Sequence, residues 1–139
     1  MGSSHSLRNN LSRSLGAKNF STFWNYWNPI FGYYLGQKVF KPSRRYFLKS
    51  VSLLITFCFC GLLHDLVTLL VRGSTSFLFT IWFILMGAGV LITRLLNHDF
   101  SEKKWVVRAL INASIIICCF ILSTCLINLF GTLNSNGVR

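Results

Sequence analysis

Two polar side chains stand where apolar neighbours leave them little to do except chemistry. Asn28 closes the aromatic stretch Phe23-Trp24-Asn25-Tyr26-Trp27-Asn28-Pro29, and His64 lies in Cys60-Gly61-Leu62-Leu63-His64-Asp65 within a long apolar segment. An ionisable group in lipid is expensive, and where one persists it faces a cavity, a partner or a substrate. Imidazole titrates near neutrality, at roughly 6.5 in water, so it suits the work of a general base. A carboxamide offers two donors and an acceptor, enough to orient or polarise a carbonyl. Each residue also has a plainer use. His64 can bond Asp65, a threonine or a neighbouring helix as structural glue, and Asn28 before Pro29 can cap a helix or shape a turn.

The elements that must position this pair are helices in a membrane. Of the 139 residues 53% are hydrophobic and 12% charged, and the apolar ones fall in long blocks. Blocks at about residues 50–71, 76–96 and 109–130 are each long enough to cross a hydrocarbon core of roughly 30 Å. Upstream, Phe20, Phe23, Trp24, Trp27, Phe31, Tyr34 and Leu35 recur at helical spacing and give one aromatic face suited to the headgroup boundary. Pro29 predicts a kink or a break there. The expected fold is an all-α integral membrane protein: three transmembrane helices preceded by an amphipathic aromatic interfacial helical segment. Residues 1–19 are expected as a flexible basic N-terminus, 20–49 as the interfacial segment, 50–131 as the three-helix domain and 132–139 as a short polar tail.

Charge sets the expected orientation. The formal net charge is +11, and Lys38, Lys41, Arg44, Arg45 and Lys49 form a basic strip before the first span. Lysine and arginine crowd this strip and the second link, whereas the first link holds Arg72 and the tail Arg139. The positive-inside rule then puts the N-terminus in the cytoplasm and the C-terminus across the membrane. Basic residues that border apolar spans and interleave with aromatics fit membrane lipids rather than nucleic acid.

Other features suggest less. The five cysteines, Cys58, Cys60, Cys118, Cys119 and Cys125, all lie in apolar segments, which argues against a secreted disulfide framework, and they lack companions at zinc-site spacing, so no metal is expected. No cleavable signal peptide is evident, and Met1-Gly2-Ser3-Ser4-His5-Ser6 fits the N-myristoylation pattern loosely. Gly87-Ala88-Gly89 suggests close helix packing. Gly32 and Gly36 have the spacing of a helix-packing pair, and the Asn-x-Ser triplets at Asn10, Asn19 and Asn112 are poorly located for glycosylation. Trp24, Trp27, Tyr33 and Tyr34 suit interfacial anchoring.

The aromatic-Asn motif, the basic stretch and the intramembrane histidine, in that order, resemble the membrane-bound O-acyltransferase family, closest to its sterol and diacylglycerol acyltransferase and wax-ester synthase branches. The matching residues are Phe23, Trp24, Trp27 and Asn28, then Val39-Phe40-Lys41-Pro42-Ser43-Arg44-Arg45, then Gly61, His64 and Asp65. The resemblance covers about residues 20–71. It implies transfer of an acyl group from acyl-CoA, as co-substrate, to a hydroxyl acceptor such as a lipid alcohol or an envelope glycan.

In that reading His64 is the general base and Asn28 positions the acyl carbonyl. Lys41, Arg44 and Arg45 receive the CoA phosphates, and Trp27, Gly61 and Asp65 support the site. At roughly 1.5 Å per residue His64 lies some 20 Å into the first span, deep enough for a lipid alcohol. The small Cys60-Gly61 pair leaves room beside the imidazole. Asp65 sits about 100° round the helix from His64 and shares a face with Arg72, which suggests orientation or ion pairing. Relatives enclose a chamber with many more helices, so three spans imply a homo-oligomer, a larger membrane partner or a reduced, truncated form. Two other classes compete: a non-catalytic membrane protein that scaffolds or regulates a partner, and a small pore-forming protein, which would need neither Asn28 nor His64.

Overall fold

The computed structural model describes residues 4–136, and among them it contains helices and no strands. Helix α1 spans Ser4–Leu15, α2 Phe20–Trp27 and α3 Pro29–Leu35. A π-helical turn at Gly36–Phe40 and the short α4 (Lys41–Ser43) follow. Three long helices complete the chain: α5 (Lys49–Arg72), α6 (Leu78–Leu95) and α7 (Trp105–Asn136). These three are long and apolar enough to cross a membrane, as the hydropathy blocks predict, and the protein is an integral membrane protein.

Helices α5 and α6 form the tightest pair. Their contact is set by Gly61, buried, where an added Cβ would lie 2.6 Å from the Thr80 Cα and 2.8 Å from the Phe79 carbonyl oxygen. Gly87 repeats the device in the other direction, its missing Cβ giving way to the Phe57 ring at 3.0 Å. Such small residues let backbones approach where lipid gives no hydrophobic reason to associate. Helix α7 joins through Trp82, whose Nε1 donates to the Ile116 carbonyl at 3.2 Å and whose ring meets Phe120 edge-on. Gly32 and Gly36, by contrast, face open space, so their spacing packs nothing within this chain.

The aromatic segment breaks at Asn28, as Pro29 predicts, and the first part of its face packs inward. Phe20 and Phe23 are each 1% exposed. Phe20 packs near Gly89, Ser21 takes two hydrogen bonds from the Arg94 guanidinium, and Trp24 meets Phe57 and Phe83. Helix α2 therefore runs antiparallel along α6. Trp27, Tyr33 and Tyr34 stay exposed and keep the character of anchors. The contact of α2 with α6 rests on close packing of the two phenyl rings and on the Ser21–Arg94 hydrogen bonds.

The N-terminal helix α1 packs against α7. Buried Asn112 donates from Nδ2 to the carbonyls of Leu15 at 2.9 Å and Ala17 at 3.1 Å, satisfying the end of α1. Trp105 Nε1 adds a bond to the Ser12 carbonyl at 3.0 Å. At the other end α7 stays helical through residue 136, so most of the expected polar tail is helix. Residues 1–3 of the myristoylation pattern and residues 137–139 of the tail lie outside the described residues.

Candidate functional site around His64

His64 occupies the α5–α6 seam. Its Nδ1 lies 2.8 Å from the Cys60 carbonyl oxygen, one turn back on α5. A carbonyl can only accept, so Nδ1 carries the proton and, in the neutral ring, Nε2 is left with a free lone pair. The ring packs against Phe83 at 4.9 Å and Phe79 at 5.7 Å between centroids, while its outer side is exposed. The Thr68 hydroxyl donates to the His64 carbonyl at 2.9 Å, tying down the next turn. An oriented imidazole with an accessible accepting nitrogen is the arrangement proton abstraction requires.

Asp65 takes a different place from the one its helical position suggests. It is 3% exposed, and its carboxylate reaches across to the start of α6. There it accepts from the Thr80 backbone N–H at 2.7 Å, the Thr80 hydroxyl at 2.6 Å, the Phe79 N–H at 3.3 Å and the Thr75 hydroxyl at 3.1 Å. Helix α6 has no side-chain cap of its own, because its N-cap residue is Phe77 in the left-handed region. Asp65 supplies that cap from a neighbouring helix, where a negative charge also favours the helix dipole. It makes no ion pair with Arg72, since the one ion pair among the described residues joins Lys18 to Asp99.

Asn28 caps α3: its Oδ1 accepts from the Phe31 N–H at 3.1 Å. That use is the plainer one foreseen, and it leaves the Nδ2 donors free on an exposed residue. No hydrogen bond joins Asn28 to His64. The link between the two motifs is one turn earlier, at Trp24, whose ring packs 5.9 Å from that of Phe83, the ring that also carries His64. Trp24 Nε1 is buried without a hydrogen-bond partner. Trp27 stacks on Phe23 at 5.4 Å. Lys41, Arg44 and Arg45 are all exposed around α4.

Helical periodicity alone does not reveal Phe83 as the neighbour of the histidine, or Trp24 as the ring beyond it. The signal available is the dense aromatic run of α2, whose first part packs onto α6. No group of three or more histidine, cysteine or acidic side chains with metal-binding geometry occurs among the described residues.

No curated protein and no solved structure matches the chain. A family model described as MBOAT, membrane-bound O-acyltransferase family, matches residues 7–126. The match takes in the whole His64 seam, the aromatic helix α2, the basic strip, all of α6 and most of α7, well beyond the 20–71 stretch that carries the sequence resemblance. With all but its first six and last thirteen residues covered, the chain belongs to the membrane-bound O-acyltransferase family.

Proposed function

We propose that this protein transfers an acyl group from acyl-CoA to a hydroxyl, on a lipid alcohol or an envelope glycan, with His64 as general base. The observation that supports it is the Nδ1 bond to the Cys60 carbonyl, which fixes the tautomer with Nε2 as acceptor. The acceptor oxygen attacks the thioester carbonyl as Nε2 takes its proton. The C–S bond then breaks, and the proton passes to the departing CoA thiolate. Asn28 Nδ2 donates to the acyl carbonyl, and the exposed Lys41, Arg44 and Arg45 meet the CoA phosphates. In this reading the N-terminus is cytoplasmic, on the side where CoA is met.

His64 is exposed in this chain, and at most 22% of any span's most apolar stretch is buried. A second copy or a larger membrane subunit completes the chamber. The same exposed surface also favours the second reading, a non-catalytic member that scaffolds or regulates a partner.

Membranes containing the wild-type chain, His64→Ala and Asn28→Ala at matched levels, supplied with labelled acyl-CoA, separate the two. Labelled ester from wild type that falls at least about 100-fold in His64→Ala and about tenfold in Asn28→Ala supports the enzyme. No label above empty membranes, across several donors and acceptors, leaves the partner-binding reading.

A further inference from the structure

Remote from His64, the ends of α1 and α7 and one face of α2 line an open cavity of about 420 Å³. Its lining holds three cations, Arg13, Lys18 and Arg108, together with Thr22, Tyr26 and Trp105, and no carboxylate. A chain with only three acidic residues can gather such charge easily. What matters is how it is held.

The Arg13 guanidinium lies over the Tyr26 ring at 4.9 Å, a contact that fixes a cation while leaving its donors free. Arg108 Nε is buried and has no hydrogen-bond partner. An arginine donor withdrawn from water and left unpaired is costly, and an anionic oxygen beside it removes that cost. The walls are preformed. Trp105 is pressed against Gly16, where a Cβ would collide with the indole, and the Asn112 bonds to Leu15 and Ala17 pin the α1 side. Lys18 is drawn to Asp99 at 3.7 Å, an exposed carboxylate outside the lining, and is free to turn inward at little cost.

We propose that this cavity binds a phosphate group, carried either by an anionic lipid headgroup or by the nucleotide part of a soluble donor. The guanidinium forks match phosphate geometry, and the aromatic walls suit a ligand that is part apolar. The site rests on its own geometry and stands whether or not His64 is catalytic.

The test is equilibrium binding to the full chain in a neutral maltoside detergent. Two phosphate probes are titrated, dioctanoyl phosphatidic acid and adenosine 3′,5′-bisphosphate, with dioctanoylglycerol as the phosphate-free control. Saturable binding of at least one phosphate probe is expected, weakened about tenfold by Arg108→Gln and by Arg13→Gln, with Arg72→Gln, in the last turn of α5, within about twofold of wild type. Preference for the lipid probe assigns a headgroup, and preference for the bisphosphate assigns a nucleotide donor. Arg13 is exposed, so its variant decides the matter if Arg108→Gln does not fold. Binding of neither probe below about 1 mM, or unchanged affinity in Arg13→Gln, overturns the site.

Discussion

The Asp65 carboxylate holds Thr80 twice, through the backbone N–H at 2.7 Å and the hydroxyl at 2.6 Å. One side chain thereby closes the first turn of α6 and ties it to the middle of α5. Asp65→Ala is expected to cost about 2–4 kcal/mol, because it strands the Phe79 and Thr80 donors in a buried place. Thr80→Val keeps the backbone bond and should cost about 1 kcal/mol. Thermal unfolding in detergent reads both, and an Asp65→Ala melt equal to wild type would show that α6 needs no cap.

Gly61→Ala should be worse than its one methyl group suggests. The added carbon meets backbone atoms of Phe79 and Thr80 at 2.6 to 2.8 Å, and backbone cannot turn aside as a side chain does. Overpacking of this kind costs about 1–3 kcal/mol, and the α5–α6 spacing must widen to relieve it. Since His64 leans on Phe79 and Phe83 across that seam, acyl transfer should fall along with stability. Full activity in Gly61→Ala would show that the seam does not position the ring.

Asn112→Leu removes both bonds that hold the end of α1. About 1–3 kcal/mol of local stability should go with them, confined to the N-terminal helix. Hydrogen exchange over residues 4–17 should quicken while α5 and α6 keep their protection. Uniform loosening of the whole chain would instead make Asn112 part of the global core.

Acid should release the Lys18–Asp99 contact only well below neutrality. The Ser101 backbone N–H, at 2.8 Å, is the main cause holding the Asp99 carboxyl below the usual range, helped by the Ser101 hydroxyl and more weakly by Lys18. A carboxyl with a lowered folded value stabilises fully above its unfolded value, near 3.9, and the effect is lost as pH falls through the folded one. Exchange rates in the 96–104 link, corrected for intrinsic chemistry, should therefore be flat between about pH 5 and 8. A step in that window would assign the link to another group.

The spans were legible because hydropathy needs only one dimension: blocks at 50–71, 76–96 and 109–130 became Lys49–Arg72, Leu78–Leu95 and Trp105–Asn136. So was the break at Asn28, which follows from the proline ring. Asp65 and Asn112 were not legible, because their partners lie 10 to 15 and 95 to 97 residues away. Helical periodicity reports which face a side chain occupies and nothing of which helix end comes to meet it. The packing of α2 on α6 was hidden for a related reason. Phe20 and Phe23 look alike whether they meet headgroups or α6, and only the packing of Gly89 and Phe83 distinguishes the two.

Phe83 is the sixth residue of α6, and α2 reaches it at Trp24 after passing Gly89 and Arg94. The break between α2 and α3 falls one turn further on. Interrupted helical backbone cannot rest against acyl chains, since each bare N–H or carbonyl in hydrocarbon costs several kcal/mol. Asn28 quiets one such group, the Phe31 N–H. The Asn28 carbonyl is met in turn by the Gly32 N–H at 2.8 Å, so the residue at the break closes the first turn of the helix that follows with both its side chain and its backbone.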